Sequence, residues 1–119
     1  MKFINATEAR RIKFLQSCDE SQRYNFDRGY DELERLVDSM INGILYKKVT
    51  QSVAYIILPI DVGNQVLQSM FFKLNGLGWS FKWCDLFHCP SQEQSDILKS
   101  MDNNKNERSY CLELWLKKN

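Results

Sequence analysis

One stretch constrains this chain more than any other. Phe26, Tyr30, Leu33, Val37, Met40 and Ile44 follow one another at alternating steps of four and three. A helix brings residues three and four apart onto one side, so this spacing predicts a long amphipathic helix. Leu36, Ile41 and Leu45 widen the stripe beyond a bare coiled-coil seam. Gly43 weakens the helix by about 1 kcal/mol relative to alanine. The end is expected near Lys47 or Lys48, where positive charge suits a helix C-terminus. Such a stripe needs an apolar surface to lie on, and the rest of the chain must supply it.

A shorter helix is expected over residues 6–18. Asn5 followed by Glu8 has the spacing of a capping box, and Ala9, Ile12 and Leu15 share a side. Residues 18–23 are polar and read as a connection. Residues 53–58 are β-branched and apolar on both sides, the pattern of a central strand buried on both faces. Pro59 ends that strand because proline cannot donate to a ladder. Asp61 is the expected cap of a third helix, whose apolar face is Val62, Val66, Leu67, Met70, Phe71 and Leu74. Gly76 or Gly78 supplies its left-handed stop.

Residues 79–84 alternate, which puts Trp79, Phe81 and Trp83 on one face of a strand. Pro90 breaks the apolar run that Leu86 and Phe87 prolong. Residues 91–101 read as a short helix capped by Ser91, or as a loop, and 102–108 as an exposed, mobile loop. In the final strand Tyr110, Leu112, Leu114 and Leu116 share a face, with Cys111, Glu113 and Trp115 opposite.

The order is α-α-β-α-β-(α)-β, which predicts a two-layer α+β domain with a small three-stranded mixed sheet. Strands one and two are expected to run parallel, joined by the third helix as a crossover, with strand three antiparallel to strand two. The 119 residues would fold to a surface of about 6,700 Å² from about 20,000 Å² extended, enough for one core and one domain spanning 1–119.

Sixteen basic residues oppose fifteen acidic ones, for a net charge of +1. That argues against a globally basic nucleic-acid binder. The longest apolar run is too short to span a bilayer. The opening Met-Lys-Phe-Ile-Asn turns polar at once, which predicts no secretory signal and a cytoplasmic setting. Cys18, Cys84, Cys89 and Cys111 are then expected as reduced thiols.

Signals for chemistry are thin. Cys84, His88 and Cys89 are the one compact set of metal-capable side chains, and Cys111 would join them if strands two and three pair. A closed zinc site needs four such ligands, but it usually draws on two paired knuckles, and only one is present. His88 and Cys89 are neighbours, which point apart on a strand, so they do not make a nucleophile and its base. Asp31, Glu32 and Glu34 sit with Arg35 on what reads as a solvated helix face. Gly76-Leu-Gly78 follows a helix instead of feeding one, the wrong order for a phosphate loop. Arg10, Arg11, Lys13, Arg23 and Arg28, with Trp79, Phe81 and Trp83, are the material for a single-stranded nucleic-acid surface if that strand face were open.

The layout resembles small tailed-phage and prophage proteins. The resemblance is carried by Thr7, Glu8, Ala9 and Arg10, by the turn from Leu74 through Gly76 and Gly78 to Trp79, and by the final strand with Glu113, Leu114, Trp115 and Leu116. The chain departs from them in its longer 88–109 excursion. The resemblance implies a phage source, a host-cytoplasmic setting and an α+β fold, and it carries over no catalytic residue.

These readings converge on a non-enzymatic, cofactor-free binding protein that self-associates and acts on a host protein or a small metabolite. The helix-two residues Tyr30, Leu36 and Leu45, together with Trp83, Glu113 and Trp115 on the strands, are the expected binding residues. The alternatives are an accessory single-stranded nucleic-acid binder, and a zinc protein or enzyme built on Cys84, His88, Cys89 and Cys111.

Overall fold

Asp19 is where the long helix begins. In this computed structural model, which describes residues 6–47, 49–86 and 106–116, the Asp19 carboxylate accepts from the Gln22 amide at 2.8 Å. The Gln22 side chain accepts from the Asp19 amide at 3.1 Å. This capping box starts helix α2, Glu20–Tyr46, inside the segment read as a connection. Helix α1, Ala6–Ser17, precedes it. The capping box expected at Asn5 lies outside the described residues.

The stripe on α2 is core. Phe26, Leu33, Val37, Met40 and Ile44 are buried, and Gly29 with them. A methyl group on Gly29 would meet Leu58 Cδ2 at 3.3 Å and Val66 Cγ2 at 3.5 Å. The glycine therefore sets how closely α2 approaches its neighbours. Helix α1 meets the core through Leu15, as expected, but its partner there is Phe14: Ala9 is exposed and Ile12 is 37% exposed. Phe14 and Phe26 have ring centroids 5.7 Å apart, and that aromatic contact fixes the helix's rotation.

Strand β1, Gln51–Pro59, leads to helix α3, Gly63–Gly76. The Val62 amide donates to Pro59 O at 3.3 Å, a turn that places Val62, not Asp61, at the cap position. Asp61 instead lies 3.5 Å from the side-chain amide of Asn25. Helix α3 has no side-chain cap, and Gly78, at φ +91°, makes the left-handed stop. Strand β2, Trp79–Asp85, and strand β3, Glu107–Leu116, complete the described elements.

The sheet order is β1-β3-β2, and both ladders are antiparallel. The fold is α+β as expected, and β3 does pair antiparallel to β2. The sheet is not mixed, however. Strands β1 and β2 share a direction but do not touch. Nor is β1 central: Gln51 and Val53 are exposed on the face away from the helices. The central place belongs to β3, with Tyr110, Leu112 and Leu114 buried beneath the helices and Ser109 and Cys111 buried on the other face. Glu107 and Arg108 belong to β3, so that end of the segment read as a loop is strand. The expected element over 91–101 lies outside the described residues. Helix α2 lies over β1 and α3 over β2, and the two helices pack together. No helix among the described residues is long and apolar enough to cross a membrane.

Candidate functional site

The register of the sheet decides which side chains meet. On the helix-facing side Ile56, Tyr110 and Asp85 form one cross-strand row, and Leu58 and Arg108 form part of the next. Directly opposed residues share a face, so Asp85 and Tyr110 are neighbours despite their separation in sequence. Arg108 reaches diagonally across and its Nη1 donates to Asp85 Oδ2 at 2.9 Å. The pair is partly buried.

Above this row stands the first turn of α3. A methyl group on Gly63 would lie 3.1 Å from Tyr110 Oη and 3.3 Å from Leu58 Cβ, so the tyrosine hydroxyl abuts the helix N-terminus. Ile60, Asn64, Trp83, Asp85, Arg108 and Tyr110 line a cavity of about 350 Å³ at this end of the sheet. That is the lower range of small-molecule pockets, and its mixture of apolar wall and convergent polar groups is typical of them.

Tyr110 is the unusual member. It is 6% exposed. Its hydroxyl has no hydrogen-bond partner among the described residues, but its oxygen is not sealed from solvent: the buried side-chain polar atom left without a partner among the described residues is Arg11 Nε. Burial, and next the Asp85 carboxylate, push its phenol above the ordinary tyrosine value, while Arg108 pulls the other way. The hydroxyl is therefore protonated across the physiological range, a donor facing the cavity.

The expected site residues fall in different places. Trp83 does line the cavity, with its ring edge-on to Phe71 at 6.0 Å. Glu113 and Trp115 lie on the opposite face of the sheet, where Glu113 is 3.9 Å from Lys82. Tyr30 is held between neighbours: the Arg11 guanidinium is 5.1 Å above its ring and the Lys73 ammonium 5.8 Å. Tyr30 and Glu34 both raise the Lys73 pKa above the ordinary lysine value, Tyr30 more strongly. Leu36 packs against the core, whereas Leu45 is 56% exposed.

Cys84 and Cys111 are directly opposed on adjacent strands, as the zinc reading requires. His88 and Cys89 lie outside the described residues, and among the described residues no three metal-capable side chains cluster. The row of Trp79, Phe81 and Trp83 faces the helices, with Phe81 buried, so it is not an open stacking platform. Arg10 and Arg11 lie over aromatic rings, Phe72 and Phe26 respectively.

Sequence reasoning missed Ile60, Asn64, Asp85 and Arg108, and read Tyr110 only as a core residue. No local signal marks them, because the strand register alone brings them together. Comparison with known proteins finds no matching family model, no matching curated protein and no matching solved structure.

Proposed function

We propose that this chain is a small non-enzymatic binding protein of the phage type its layout resembles, and that it takes a small molecule in the cavity between α3 and the β2–β3 ladder. One observation carries the reading. A nearly buried tyrosine presents a hydroxyl with no hydrogen-bond partner among the described residues to a cavity of about 350 Å³ that also holds an ion pair and a tryptophan wall.

The test is protein-observed NMR during titration with a desalted small-molecule extract of the expressing cells. Native mass spectrometry of the untreated protein accompanies it. The expected result is a bound mass of a few hundred daltons, with resonance changes clustered on Trp83, Arg108 and Asn64. Bare protein, and an extract that perturbs none of these residues, would refute the reading.

A second reading, self-association, rests on the outer edge of β1. Val53 is 51% exposed, and β3 is the one neighbour of β1 among the described strands; unpaired edges template pairing with another chain. A single monomeric species in sedimentation up to the highest soluble concentration would remove it.

A further inference from the structure

The cavity has a sign, and the sign selects a class of ligand. Among the described lining residues Asp85 is acidic and Arg108 basic, and they answer each other at 2.9 Å. The pair therefore adds little net charge. What remains is the N-terminus of α3, a helix of 14 residues that begins with no side-chain cap. Its first amides, from Gly63, Asn64 and Gln65, carry the positive end of the helix dipole. The Tyr110 hydroxyl abuts Gly63 and adds a donor with no acceptor among the described residues. Asn64, exposed at the rim, can donate through its side-chain amide. Among the described lining residues the carboxylate, that of Asp85, is already engaged by Arg108, and the Asn64 amide and the Tyr110 hydroxyl can both donate. Trp83 and Ile60 give the opposite wall an apolar character.

We infer that the ligand carries an oxyanion, a carboxylate or a phosphate monoester, seated on the first turn of α3 and the Tyr110 hydroxyl, with a flat apolar portion against Trp83. The inference rests on the cavity being a binding site and adds the chemistry of what enters it. An oxyanion can accept from Asn64 and from the Tyr110 hydroxyl, the two donors that line the cavity from the α3 side, with the helix N-terminus behind them.

Three probes of one shape separate the possibilities: benzoate, phenyl phosphate and the neutral benzamide. Each is titrated into the full chain, and binding is read from the amide resonances of Gly63, Asn64 and Gln65 and the indole resonance of Trp83. Benzoate or phenyl phosphate is expected to shift these resonances saturably, at least tenfold more tightly than benzamide. Whichever anion binds more tightly names the source. Tyr110→Phe is expected to weaken the anion about tenfold, the loss of one charge-assisted hydrogen bond. Asn64→Asp is the second variant. A carboxylate in the first turn favours the helix, so the protein folds. It also places a like charge at the seat, so anion binding should fall at least tenfold, and by more than benzamide binding does.

Benzamide binding as tightly as benzoate, with Asn64→Asp without effect, overturns the anion and leaves the cavity as a binding site. No saturable shift on Trp83 or the α3 amides with any probe overturns both. Shifts confined to surface lysines and abolished by salt also overturn both.

Discussion

Tyr110→Phe separates a hydroxyl kept for function from one kept for folding. Tyr110 is 6% exposed and its neighbours on β3, Cys111 and Leu112, are 4% and 0% exposed, so the ring is a core ring. In an ordinary core the hydroxyl has a partner, and deleting it costs about 0.5–1.5 kcal/mol. Here it has none among the described residues, so that loss is absent. A fully dry unsatisfied hydroxyl would instead cost about 1–3 kcal/mol. This one faces a cavity of about 350 Å³, and a water needs only about 30 Å³, so most of that cost is already relieved. The expected change is a stabilisation of about 0 to 1 kcal/mol. With 119 residues, the unfolding entropy is about 0.25 kcal/mol per kelvin, so Tm rises by up to about 4 °C.

Urea denaturation followed by tryptophan fluorescence, with the slope unchanged, measures this directly. The same variant has a pH signature. Burial and Asp85 make the folded state hold the phenolic proton more tightly than the unfolded state. That contribution is complete below the unfolded value of about 10, and is lost as pH rises through the folded value. The wild type should therefore lose stability on the alkaline side in excess of Tyr110→Phe. A loss of 1 kcal/mol or more at neutral pH, or identical alkaline limbs, would refute the reasoning.

Gly43→Ala should stabilise by about 1 kcal/mol and raise Tm by about 4 °C in a thermal circular-dichroism scan, because a methyl group there meets nothing within 4 Å. Asp19→Ala removes the carboxylate that receives the Gln22 amide. It should cost about 0.5–2 kcal/mol in chemical denaturation, with fraying confined to the first turn of α2 in hydrogen exchange. Leu112→Ala leaves a void at a fully buried position of the central strand. It should cost about 2–5 kcal/mol by the same denaturation assay.

The helices were legible because their evidence is local. The α2 stripe is a periodicity within one element, and its burial follows whatever it packs on. Strand order is a different kind of quantity. Residues 53–58 read as a central strand because their apolar side chains alternate with others also apolar. Yet Val53 is left half-exposed at an edge, and the centre goes to a strand carrying Glu113. Nothing in either strand's own composition ranks them, since the ranking depends on which three strands share a register. The site is illegible for the same reason. Asp85 and Arg108 belong to different strands, and Arg108 sits in a polar run that locally resembles a loop. Trp83 was found because aromatics attract notice anywhere. Tyr110 was seen as apolar, and the fate of its hydroxyl depends on Gly63, an unremarkable residue until α3 is placed.

The sheet order β1-β3-β2 also governs when the fold can exist. Synthesis runs from the N-terminus, so α1, α2, β1, α3 and β2 all emerge before the strand that joins them. Until then β1 and β2 are two separate strands with no partner between them. Among the described elements, the native structure within reach of the growing chain is helical, with its apolar stripes unfinished. Insertion of β3 is therefore the step that commits the sheet, and it pairs both neighbours at once. A ribosome pause after β2 would hold two unpaired hydrophobic edges open to other chains. A pause before β1 would leave only the two helices.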